Sequence, residues 1–207
     1  MSRLAFIVCF VGLFCGSSIL AAKEDECLLG LTLEEAGKTD FFKFFNLEEV
    51  EADADDQGLA RRTFRCKGPM LRQKYSVRIT FDAQGKICRI ESRPLRAFLD
   101  HRLEVLFARD VAQSTLRSAL TAKEEEAVQD LINEIWKGPV PGINRIPIQK
   151  QEAKLPVEPT PGYEVFLGRK ESFEKELEHT RIVLTNKEDK EQGKYLDIVV
   201  ERIPDKK

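Results

Sequence analysis

Histidine is scarce in this chain. His101 and His179 are the only two in 207 residues, and neither has a second His or a Cys at metal-ligand spacing. No G-x-S-x-G elbow is present, no Cys has a matching His motif, and no glycine-rich loop could cradle a phosphate. Charge of one sign is not in excess either: 33 Lys plus Arg stand against 35 Asp plus Glu, for a formal charge of -2. A nucleic-acid binder would concentrate basic residues to neutralise phosphates. The expectation is therefore no metal, no cofactor and no nucleic-acid partner. What is present, 42% hydrophobic and 33% charged residues, suits a chain that can bury a core.

Met1, Ser2 and Arg3 make a short positive start, and residues 4–20 carry no charge. Small residues at Ala21 and Ala22 precede the charged run Lys23, Glu24, Asp25, Glu26, the layout of a secretory signal peptide over residues 1–22. Leu20 is large for its place before the cut. An uncleaved membrane anchor over residues 4–22 is thus the alternative, and the only expected membrane contact. Phe14 before Cys15 speaks against a lipoprotein. The expected location is periplasmic or secreted, where disulfides persist, and Cys27, Cys66 and Cys88 would remain after cleavage. Cys66 and Cys88 read as lying on the first and third strands of a meander, ~9–10 Å apart and beyond the ~7 Å reach of a disulfide. The candidate bridge therefore joins Cys27 to Cys66 or to Cys88, with three small buried thiols as the plainer alternative.

Local signals predict an α+β chain. Thr32 and Glu35 form a capping box for a short helix that Gly37 ends, and Thr39 or Asp40 starts a second turn. That turn carries Phe41, Phe42, Phe44 and Phe45, read first as core anchors and otherwise as an exposed interaction patch. The acidic stretch from Glu48 to Asp56 reads as a solvated turn. Asp53, Asp55 and Gly58 match part of a calcium loop, but Phe64 stands where its last carboxylate belongs. Alternation over residues 60–66, 75–81 and 86–91 predicts a three-stranded antiparallel meander. Its wet face should gather Arg61, Arg65, Arg78 and Arg89, expected to pair with carboxylates rather than hold an anion.

Leu95, Phe98, Leu99, Leu103, Leu106 and Phe107 space out an amphipathic helix, with His101 at its polar edge. A second follows the Thr121–Glu124 capping box, with Val128, Leu131, Ile132, Ile135 and Trp136 on one stripe. Six of the nine prolines fall within residues 138–162, which predicts an extended connector. Tyr163, Val165 and Leu167 alternate like a strand, as do Arg181–Thr185 and Leu196, Ile198 and Val200. The expected organisation is a signal or anchor over 1–22, an α+β domain over 23–137, a Pro-rich connector over 138–162 and a small antiparallel β region over 163–207.

From Leu29 to Pro94 the order runs Gly30-x-Thr32 opening a helix, then a strand, then YSVRITFDAQGKICRIES with its glycine turn. This third of the chain resembles the small outer-membrane lipoproteins of the SmpA/OmlA (BamE-like) family. The resemblance implies two helices before a three-stranded sheet and a non-enzymatic role in envelope assembly or protein binding. The chain departs from that family in lacking a lipid-accepting Cys after a lipobox, in lacking a Gly-Pro pair after the first helices, and in its long additions after residue 94. The expected function is an exported, non-catalytic protein that binds another protein. The alternative is an exported hydrolase-like enzyme using Asp and Glu residues assembled by folding.

Overall fold

The computed structural model describes residues 27–67, 75–99, 104–138, 158–190 and 193–203. The expected signal segment and residues 139–157 of the Pro-rich connector lie outside the described residues, as do His101 and Leu103.

Thr32 opens the first helix, α1 (Leu33–Ala36), through the expected capping box: its hydroxyl accepts from the Glu35 N–H, and the Glu35 carboxylate accepts from the Thr32 N–H at 2.8 Å. The second helix, α2 (Asp40–Phe45), stops at Asn46, whose left-handed backbone (φ 46°) turns the chain into a strand. That strand, β1 (Leu47–Ala54), corrects the expectation of a solvated acidic turn. Glutamate and aspartate are poor strand formers alone, but here they meet arginines on β2 (Ala60–Cys66). Asp53 pairs with Arg61, and Glu49 with Arg62 at 2.8 Å. Such charges also suit an edge strand, which must not recruit further strands.

β3 (Ser76–Phe81) and β4 (Ile87–Ser92) continue the meander. The two tight turns share one device. In each the first aspartate, Asp55 or Asp82, accepts two backbone N–H groups at 2.9 Å, and a glycine three residues on (Gly58 or Gly85) takes a positive φ.

The expected long helix appears as α3 (Arg96–Leu99) and α4 (Glu104–Ala119). Small residues carry the buried stripe of α4 to its end: Ala108, Val111, Ala112, Leu116 and Ala119. The second amphipathic segment is two helices, α5 (Ala122–Ala127) and α6 (Gln129–Lys137), broken where Val128 leaves helical geometry. Beyond the connector, the expected strand at Tyr163–Leu167 is instead a helix, α7 (Pro161–Phe166). Thr160 caps it with its hydroxyl and Pro161 occupies the first turn, where its missing N–H costs nothing.

The last strands are β5 (Ser172–Glu176), β6 (Thr180–Asp189) and β7 (Gly193–Arg202). They do not form a β region of their own. β7 pairs with β4, so a single antiparallel sheet of seven strands runs β1-β2-β3-β4-β7-β6-β5 and replaces the expected three-stranded unit. The physical reason is continuity of the apolar face: Ile90 and Ser92 of β4 lie opposite Val200 and Ile198 of β7. The described helices pack on that face, above a core that includes Val77, Ile79, Ile90, Leu184, Ile198 and Val200.

The candidate disulfide is not formed. Cys27, Cys66 and Cys88 are free thiols, with β3 lying between Cys66 on β2 and Cys88 on β4. The Cys27 thiol donates instead to the Ala119 carbonyl at the end of α4, and that of Cys88 to the Thr80 carbonyl. Burial pushes the Cys66 thiol up to about 11.

Candidate functional site

Helical period decides the fate of the four phenylalanines. On α2, Phe41, Phe42 and Phe45 share the inward arc and are buried, whereas Phe44 points outward and is 71% exposed. The inward rings join an aromatic cluster, with Phe42 edge-on to Phe64 at 5.3 Å and Phe45 tilted against Tyr75 at 5.6 Å. Phe44 rests edge-on against Phe45, its ring centroid 5.0 Å away. The sequence-predicted patch is thus divided: three rings build the core and one is presented to solvent.

Phe44 stands at the rim of a cleft of about 600 Å³ between α2, α4 and α6, which also holds Asp40, Asp110, Arg117 and Trp136. Burial holds the Asp110 carboxyl above the ordinary aspartate range. Arg117 is paired with Glu125 at 3.1 Å. The cleft therefore offers four aromatic side chains, Phe41, Phe44, Phe45 and Trp136, and two carboxylates, the means to hold an apolar group beside a cation. The reading from sequence missed Asp110, Arg117 and Trp136 as neighbours of Phe44, because they come from α4 and α6, whose packing on α2 is not a local property.

A second cavity, of about 490 Å³, lies beside the β6–β7 hairpin and is lined by Arg96, Gly168, Asn186, Lys187, Lys194 and Tyr195. Several of its polar groups hold the fold. Arg96 donates to the Phe166 carbonyl at 2.6 Å, and the Asn186 amide donates to the Val165 and Lys170 carbonyls at 2.9 and 2.8 Å. Lys187 reaches the Asp197 carboxylate at 2.5 Å.

The remaining expected sites are placed as follows. Asp53 is tied to Arg61 and Asp55 closes the β1–β2 turn, so the partial calcium pattern is used as hairpin structure. His179 is exposed, with Nε2 3.8 Å from Glu178. Among the described residues, no three His, Cys, Asp or Glu side chains are grouped to hold a metal ion. Arg61, Arg65, Arg78 and Arg89 do collect on the sheet face away from the helices, joined there by Arg93. Within the described residues, no helix is long and apolar enough to cross a membrane.

No protein-family model, no curated protein and no solved structure matches this chain. The functional reading accordingly rests on its own geometry.

Proposed function

We propose that this chain is an exported, non-catalytic binding protein of the periplasm or secreted space, which holds a protein partner in the α2–α4–α6 cleft. The observation that carries this reading is Phe44. Three of the four clustered rings are buried, and the fourth is the most exposed large apolar side chain among the described residues, standing beside Trp136 and Asp110 at one cleft. An exposed aromatic ring at the edge of a concave surface is the usual anchor of a protein contact. Asp40 and Asp110, in a cleft where Arg117 is already held by Glu125 and Lys137 also lines the wall, suit a partner segment that places a Lys or Arg next to an apolar side chain.

Two short helices before the β2–β4 meander are in keeping with the resemblance to BamE-like lipoproteins. The β1 edge strand and the pairing of β7 with β4 depart from it. Export rests on Arg3 and the uncharged run behind it, and the mass of the natural N-terminus tests that part separately.

The binding reading is tested by placing a photo-crosslinking residue at position 44 and, as a control, at exposed Val50 on β1. One discrete adduct from position 44 that is absent from position 50, and that Trp136→Ala abolishes, supports it. Equal labelling from both positions, or none from position 44, overturns it.

A further inference from the structure

The strand register sets five arginines on three neighbouring strands of the open sheet face. Arg78 on β3 is central. Thr63 of β2 lies directly opposite it on one side and Glu91 of β4 on the other. Side chains alternate between faces, so Arg61 and Arg65 on β2 and Arg89 and Arg93 at β4 occupy the four diagonal positions around it.

Asp53, Glu91 and Asp197 on this face engage the outer arginines, while Glu51 of β1 lies directly opposite Thr63. Asp53 holds Arg61. Glu91 is shared between Arg89 at 2.8 Å and Arg93 at 3.1 Å, and Asp197 holds Arg93 from β7 at 3.2 Å. Arg65 stands in solvent. Arg78 is half-buried, and among the described residues it makes no hydrogen bond or ion pair. A guanidinium partly removed from water with no hydrogen bond of its own is unfavourable unless an anion compensates it. Burial first, and then the neighbouring Arg93 and Arg61, weaken its hold on its proton, and Glu91 and Asp53 only partly offset them.

A second unsatisfied group lies beside it. Thr63 is 4% exposed, and its hydroxyl oxygen has no hydrogen-bond partner among the described residues. Native structures rarely bury a hydroxyl without one. The Arg78 fork and the unpaired Thr63 O–H sit on adjacent strands and the same face, the threonine oxygen closed to solvent until a ligand displaces the side chains around it. We infer that Arg78 and Thr63 form a binding site for an oxyanion, a phosphoryl or carboxylate group that accepts two N–H bonds from the guanidinium and one O–H bond from the threonine. The planar fork matches either group bidentately. The site lies across the sheet from the Phe44 cleft and does not depend on that reading.

Inorganic phosphate and acetate, each titrated at constant ionic strength with chloride as the balancing ion, test it on the full chain. The readouts are the NMR signal of the Arg78 side-chain N–H and the thermal midpoint. Saturable movement with phosphate alone assigns a phosphoryl ligand, movement with acetate alone or with both assigns a carboxylate-tolerant site, and each supports the inference. Arg78→Gln should weaken the response about ten- to a hundred-fold and Thr63→Val about fivefold. Arg62→Gln, on the helix-covered face of the same strand, should leave it unchanged. In chloride alone Arg78→Gln should fold and melt no lower than the parent chain, since it removes a half-buried charge that makes no hydrogen bond or ion pair among the described residues. No movement with either anion, or an equal response in Arg78→Gln, overturns the inference.

Discussion

Along β3, Val77 and Ile79 are fully buried beneath helices, while Arg78 between them faces the other way. The same alternation runs through β4 and β7, where Ile90, Ile198 and Val200 point to the helices and Arg89, Glu91, Asp197 and Glu201 point to the open face. The two faces are built from the same strands but hold together by different physics. The covered face gains from removing apolar surface from water, a term that grows with area and needs no particular partner. The open face depends on which charge meets which. Arg181 of β6 and Arg89 of β4 both reach Glu201 between them, and Asp197 joins Arg93 to Lys187. Pairing of this kind favours one register over another, because a one-residue slip would send the charges into the core.

Substitutions matched across the sheet sharpen this contrast. The largest loss is expected from Ile79→Ala, at a site with no exposure, about 3–4 kcal/mol read from the urea midpoint. Asp197→Ala is the attempt to break the comparison. It lies on the charged face, yet its side chain is only 1% exposed, so removing it leaves Arg93 with Glu91 alone and takes the carboxylate from Lys187, and should cost about 2–3 kcal/mol. A loss below about 1 kcal/mol would show that the open face behaves as ordinary solvated surface.

Glu124→Gln comes next, at about 2 kcal/mol. Its carboxylate accepts from the His179 N–H at 2.9 Å and the Thr180 hydroxyl at 3.0 Å while also closing the α5 cap, and so ties the helical layer to the start of β6. Burial on its own would raise this carboxyl, but the hydrogen bonds from His179, Thr121 and Thr180 outweigh it and hold the group below the usual glutamate range. A depressed acid stabilises the fold above its unfolded value of 4.5 and ceases to do so as pH falls through the folded value. The gap between the parent chain and Glu124→Gln should therefore be constant near neutrality and close in acid, as thermal melts across pH would show.

Asp110→Asn should act in the opposite sense. Its carboxyl is raised by burial, so the charged form costs stability once pH has risen past the ordinary aspartate range, and the amide should melt higher at neutral pH but not in acid. The smallest effect belongs to Phe44→Ala, within about 0.5 kcal/mol, because the ring is mostly in water. Loss of partner contact without loss of stability would separate its role from that of Phe45.

Signals that act within a few residues could be read directly. The Thr32–Glu35 and Thr121–Glu124 boxes are present as expected, since a cap needs only atoms three residues apart. The alternation in β2, β3 and β4 was equally legible, and with it the gathering of arginines on one face. The helix at Pro161–Phe166 carried a local signal too, Thr160 followed by Pro161, but the apparent alternation of Tyr163, Val165 and Leu167 hid it. β1 could not be read from its own acidic residues, because what makes it a strand is the arginines of β2.

Sequence alone determined which residues would cap, which would face inward and which would face water, because those choices depend on backbone period and on neighbours close along the chain. Only the tertiary structure decided that β7 lies against β4, that Phe44 shares a cleft with Trp136, and that Arg78 makes no ion pair while Arg61, Arg89 and Arg93 beside it do. Each of these is a pairing across tens of residues, and period assigns a side chain to a face without naming what will stand opposite it.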